Sequence, residues 1–143
     1  MCRVSQAIAP MIIWTKEFET GSLKIDYQHR MLINHINRLE ELLNTKNPNK
    51  HECEFLKLVV IFVEDYADKH FKLEEACMFR YRCPAHAANQ QAHERFRDFF
   101  RQYRRRFEAE GFKLGLIQTL HETCSSWVQD HILKIDTQLR DSI

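Results

Sequence analysis

Residues 25–43 read IDYQHRMLINHINRLEELL, and their reading decides the fold. Ile25, His29, Leu32, Ile36, Leu39 and Leu43 recur at alternating spacings of four and three, the period at which side chains line one face of an α-helix. The opposite side is charged or amidated. One member of this inward stripe, His29, is an imidazole.

Working outward, the chain breaks at three places: TKNPNK around Pro48, RCPA around Pro84, and EGFKLG between Gly111 and Gly115. The breaks predict four helices, at about 24–45, 51–80, 85–109 and 113–138. The second carries Phe55, Val59, Phe62, Tyr66, His70, Leu73 and Cys77 on its stripe, with Glu74 beside it. The third carries Asn89, His93, Phe96, Phe100, Tyr103 and Phe107, and the fourth Ile117, Leu120, Cys124, Trp127 and His131. Four amphipathic rods with short connections predict an all-α, antiparallel up-down-up-down four-helix bundle, because each apolar face needs neighbours to leave water. Residues 1–22, with Trp14, are expected as an extended N-terminal arm over the bundle, and 1–143 as one domain. Asp26 is the expected N-cap of the first helix.

Composition agrees with this class. Of 143 residues, 44% are hydrophobic and 29% charged, enough for one substantial core. Only 3 Gly and 3 Pro are present, too few for the turns of a small all-β fold. A net charge of +1 gives no reason to expect nucleic acid or an anionic membrane as partner. Arg95, Arg97, Arg101, Arg104, Arg105 and Arg106 interleave with Glu94, Asp98 and Glu108, which reads as a solvated outer helix face. The five cysteines lack a CxxC pair and read as thiols in a reducing cytoplasm, with Cys77 and Cys124 as apolar fillers near the core. MCRVSQAIAPMIIW is a poor secretory signal, and no run of about 18 apolar residues could span a bilayer. No nucleophile motif or glycine-rich phosphate loop appears. His35, His51 and His121 lack ligand-spaced companions and are expected at the surface.

The inward stripes pose a chemical problem. His29, His70, His93 and His131 place one imidazole on each helix, and in HFKLEE (70–75) Glu74 follows His70 by one turn on the same face. Burying such groups without partners costs on the order of 2 kcal/mol or more each, which a cation would offset. In HILKID, Asp136 follows His131 by five residues, about 140° around a regular helix. Asp136 therefore joins the set only if the helix loosens or carries a π-bulge there; otherwise it is surface charge. Imidazole and carboxylate together suit iron, manganese or zinc, and two carboxylates with several histidines exceed the needs of one tetrahedral zinc, so two metals are expected.

At this point the chain resembles the hemerythrins, especially bacterial ones, from Trp14 to about Gln138. The resemblance rests on Trp14 with Gly21 and IDYQH (25–29), HFKLEEACM (70–78), a proline followed by the helix of His93 and Phe96, and WVQDHI (127–132) with Asp136. It implies two iron ions bridged by an oxo or hydroxo group and by the carboxylates of Glu74 and Asp136. One iron would take His29 and His70 and keep an open position for dioxygen, in a dry pocket of Leu32, Phe71, Trp127, Val128 and Ile132. The other would take His93 and His131.

The sequence departs from the family at one ligand. The remaining histidine of the family pattern falls on Asn89 in AHAANQQAH (85–93). Asn89 offers an amide oxygen or room for water; the competing candidate, His86, lies seven residues from His93, about 10 Å of helical rise and too far to share one ion. His86 is expected to face solvent. The resemblance thus implies a non-heme di-iron oxygen-binding protein for storage, delivery or sensing rather than an enzyme, working with a redox or delivery partner. The lost imidazole weakens the second iron site and opens two alternatives: a di-iron peroxidase or nitric oxide reductase, and a metal-depleted structural bundle.

Overall fold

The computed structural model describes residues 11–44, 49–111 and 113–143. Four helices carry it: α1 (Leu23–Leu43), α2 (Lys50–Arg80), α3 (His86–Glu110) and α4 (Leu114–Lys134), with 3-10 turns at Lys16–Phe18 and Asp136–Asp141. Packing runs α1 on α2, α2 on α3, α3 on α4 and α4 back on α1, the ring of an antiparallel four-helix bundle. The expected turn at TKNP, Cys2 and the first ten residues of the arm lie outside the described residues.

Most of the expected inward positions are buried, and the exceptions have local causes. In α2 the buried face is Leu56, Val59, Val60, Val63, Ala67, His70, Phe71, Glu74 and Met78, whereas Phe55 and Phe62 are more than 40% exposed. A stripe drawn through the large aromatics misses this face. Small Val and Ala side chains let α2 approach its neighbours, and Phe62 is covered only at the edge, stacking on His35 at 4.3 Å and on Tyr66 at 5.5 Å. His121, expected at the surface, is buried with neither ring nitrogen hydrogen-bonded. It belongs to a second inward row of α4, with Ile117, Cys124, Val128 and Ile132, alongside the one through Trp127. His35 is half-buried and His51 exposed.

Caps set where the helices start. Ser22, not Asp26, caps α1, accepting from Ile25 N at 3.3 Å. Asp26 instead accepts from Thr20 N at 2.9 Å and Thr20 Oγ1 at 2.8 Å, fastening the arm to α1. Asn37 holds the arm further back, exchanging two 2.9 Å bonds with the backbone of Ile12. Trp14 packs on Phe18 at 5.4 Å and under the Arg30 guanidinium at 4.6 Å. Asn49 and Glu52 form a reciprocal capping box at the start of α2.

Two chain reversals fix the depth of the site. α2 ends in a Schellman turn: Cys83 N donates to Met78 O at 2.9 Å and Arg82 N to Phe79 O at 3.2 Å, with Arg82 at φ 54°. This delivers α3 with Asn89 and His93 facing inward. α4 ends at Lys134 rather than near 138: Ile135 still bonds His131 O at 2.9 Å but with φ widened to −113°, and a 3-10 helix follows from Asp136. Leu139 anchors that last turn in the core, and Arg140 reaches the Glu19 carbonyl of the arm. No helix among the described residues is long and apolar enough to cross a membrane.

Candidate metal centre

The inward residues meet as two groups of potential ligands. His29, His70, Glu74 and Asp136 form one, and His93, His131, Glu74 and Asp136 the other; within each group the ligand atoms lie within 4.8 Å of one another, and all are buried. The two groups share both carboxylates. His29 Nε2 lies 2.9 Å from Glu74 Oε2 and 3.1 Å from Asp136 Oδ2, and His70 Nε2 3.2 Å from Glu74 Oε2. On the other side His93 Nε2 lies 3.4 Å from Glu74 Oε1, and His131 Nε2 2.9 Å from Asp136 Oδ1. Each carboxylate therefore turns one oxygen to each imidazole pair, the arrangement two adjacent cations need.

The break at Ile135 makes this possible. A regular helix would carry Asp136 round to another face from His131; the change to a 3-10 turn brings it back, and its side chain is 1% exposed. Asp136 is not surface charge, but neither a π-bulge nor a loosened helix brings it in: α4 ends at Lys134 and a tighter 3-10 turn takes over.

Whether the group suits a cation is tested by its unsatisfied atoms. Asp136 Oδ1 is buried with His131 Nε2 2.9 Å away but in no hydrogen bond, so its lone pairs are free for a cation. His93 Nε2 and His131 Nε2 face each other at 3.2 Å, where at most one can donate. Electrostatics agree. Burial opposes charge on His29, but hydrogen bonds from it to Asp136 and Glu74 outweigh burial and push its pKa up to about 10. Burial alone would raise Glu74, yet His29, His70 and His93 hold its carboxyl well below the usual range. Burial lowers the pKa of His70, with Glu74 pulling the other way. A proton on His29 thus supplies positive charge to the Glu74 carboxylate, a place a cation takes by displacing it.

Outer partners orient the imidazoles. Gln28 Oε1 lies 2.7 Å from His70 Nδ1, and Glu75 Oε2 3.2 Å from His93 Nδ1. Glu75 is itself 3.5 Å from Arg97, which bonds Asp68 at 2.9 Å and lies 5.4 Å over the Phe71 ring. Sequence reading missed Gln28 and Glu75. Each adjoins an expected ligand, His29 and Glu74, but which neighbour turns toward a second helix depends on packing.

Other expected residues fall as follows. Asn89 is buried one turn before His93, its Nδ2 donating to Glu74 Oε1 at 2.8 Å and to Met78 Sδ at 3.3 Å. His86 is half-buried beside Phe79 at 5.7 Å, outside both ligand groups. Leu32, Phe71, Val128 and Ile132 are buried and Trp127 partly so, all within one core cluster. Phe71 stacks on His93 at 3.8 Å and Trp127 on His131 at 4.3 Å, so these two aromatics cover the second imidazole pair. Cys77 is half-buried, and Cys124 is buried with its thiol pKa pushed up to about 12; neither joins a ligand group.

Comparison with known proteins gives the same direction. Residues 20–141 match the model of the hemerythrin HHE cation-binding domain. The chain is similar to a bacteriohemerythrin of Stenotrophomonas maltophilia (strain R551-3), 29% identical over 133 residues, covering 93% of this chain and 82% of that protein. The bacteriohemerythrin of Pseudomonas aeruginosa (strain LESB58) is 29% identical over 132 residues, covering 92% and 81%. That of Clostridium acetobutylicum is 29% identical over 133 residues, covering 92% of this chain and 100% of the relative.

Proposed function

We propose that this chain, which belongs to the hemerythrin family, holds two non-heme iron ions between its helices and binds dioxygen reversibly, for storage, delivery or sensing. The observation that carries the reading is the sharing of Glu74 and Asp136 by two imidazole pairs. His29 and His70 are assigned to one ion, His93 and His131 to the other, with Glu74 and Asp136 as bridges. Reduced iron supplies the electrons and an open coordination position that dioxygen requires. The protein's own part is to hold the donors and keep water out. Leu32, Val128 and Ile132 share one apolar core with Phe71 and Trp127, which stack on His93 and His131, and an apolar, dry surround favours release of dioxygen intact over leakage of reactive oxygen. A redox partner that restores the reduced state, and a place in the reducing cytoplasm, belong to the same proposal.

Asn89 favours a second reading, a redox enzyme of the peroxidase or nitric oxide reductase type, because an amide in place of an imidazole leaves the second ion less well held. One experiment separates the two. The iron-loaded, reduced protein is exposed to oxygen and followed in the visible range. Oxygen binding gives a charge-transfer band that disappears on deoxygenation; rapid oxidation with no reversible band supports the enzyme.

A further inference from the structure

Asn89 and His93 occupy successive turns of the buried face of α3. At position 89 an imidazole could turn a lone pair toward the cluster. Asn89 instead turns its NH2, which has no lone pair for a cation, toward Glu74 Oε1 at 2.8 Å and Met78 Sδ at 3.3 Å. The amide oxygen is buried without a partner. The amide thereby positions a carboxylate. The protein offers each ion the same set: two imidazoles and one oxygen from each of two carboxylates. With four protein donors on offer to each, a six-coordinate iron, when bound, would keep open positions on both sides of the pair.

The second imidazole pair is also approached from outside, at His131. A groove of about 620 Å³ runs between α3 and α4, lined by Ala92, Trp127, His131 and Ile135 among others. Its polar rim carries Arg95 and Lys134 with Glu122 and Asp130, balanced in charge, so size and the cation rather than the rim select what enters. Trp127 stacks nearly parallel on His131, at 11° and 4.3 Å, and both side chains line this groove.

Building on the di-iron reading, we propose that the His93/His131 side of the centre is a second binding position for small inorganic anions of azide size, entered from the α3/α4 groove past Trp127. The centre then takes exogenous ligands at both ions rather than at one. Asn89 is the positioning residue that keeps this side open, and Trp127 is its door.

The test uses the iron-loaded ferric protein with azide as the probe. Iron is counted first, so that the di-iron reading is judged separately: fewer than two ions per chain overturns that reading and this one with it. With two ions bound, calorimetric and visible titration is expected to give two azides per chain for the native protein and one for Asn89→His, whose imidazole fills the open position. Trp127→Ala is expected to speed association of the second azide and leave the number unchanged. One azide in the native protein overturns the proposal while leaving the di-iron reading intact, and so do two azides in both the native protein and Asn89→His. Should Asn89→His fail to fold, the native stoichiometry alone decides.

Discussion

Asp136 Oδ1 lies 2.9 Å from His131 Nε2, although Asp136 is five positions further along the chain and a regular helix would point the two apart. The pair exists because α4 stops at Lys134 and the chain tightens into a 3-10 turn held by the buried Leu139. Asp136 faces both imidazole pairs, so its loss removes a donor from each. Asp136→Ala is expected to bring iron content well below that of the native protein, whereas Asp130→Ala, at an exposed position of α4, leaves it unchanged. Metal analysis of the purified proteins checks this.

Glu75 acts through His93. Its carboxylate, 3.2 Å from His93 Nδ1 and steered by Arg97, fixes the ring so that Nε2 faces inward. Glu75→Gln is expected to weaken metal binding by about 10–100-fold without unfolding the bundle. Competition with a chelator measures the affinity, and circular dichroism the fold.

The turn between α2 and α3 contains a residue in an unfavourable conformation. Arg82 sits at φ 54°, where a side chain costs about 1 kcal/mol relative to glycine. Arg82→Gly should therefore stabilise the protein by about that amount, less the extra freedom glycine gives the unfolded chain. Urea unfolding of metal-free protein reads the difference directly.

His121 gives a pH dependence remote from the metal ligands. Burial lowers its pKa below the ordinary 6.5, with Glu40 and Glu122 opposing. Below about pH 6.5 the unfolded chain takes up a proton that the folded protein refuses, so this residue's contribution to stability falls as the solution is acidified and is constant above that value. His121→Leu removes two unsatisfied buried nitrogens and is expected to stabilise the fold by about 1 kcal/mol at neutral pH, with a larger advantage at pH 5. Equal gains at the two pH values would show that the imidazole is not excluded from water.

Much of this architecture is legible in the residues themselves. The stripe from Ile25 to Leu39 dictates both the helix and its inward face, and an imidazole on each rod points to a common polar focus. Sequence fails where the answer lies in backbone detail or in a neighbouring helix. The phase of α2 is misread because large aromatics mark the stripe on paper, while small residues at 63 and 67 decide how near helices come. His121 is misplaced because the apolar face of α4 is two rows wide. Asp136 stays ambiguous until α4 is seen to end at Lys134, and Gln28 and Glu75 become visible only once α1, α2 and α3 are side by side.

The central claim is that two ions sit side by side, each held by two imidazoles and joined by the same two acids. Anomalous diffraction at the iron edge from iron-loaded crystals tests it most directly. The expected map has two peaks per chain, one beside His29 and His70, the other beside His93 and His131, with Glu74 and Asp136 touching both. A single peak, or peaks away from these carboxylates, would contradict it.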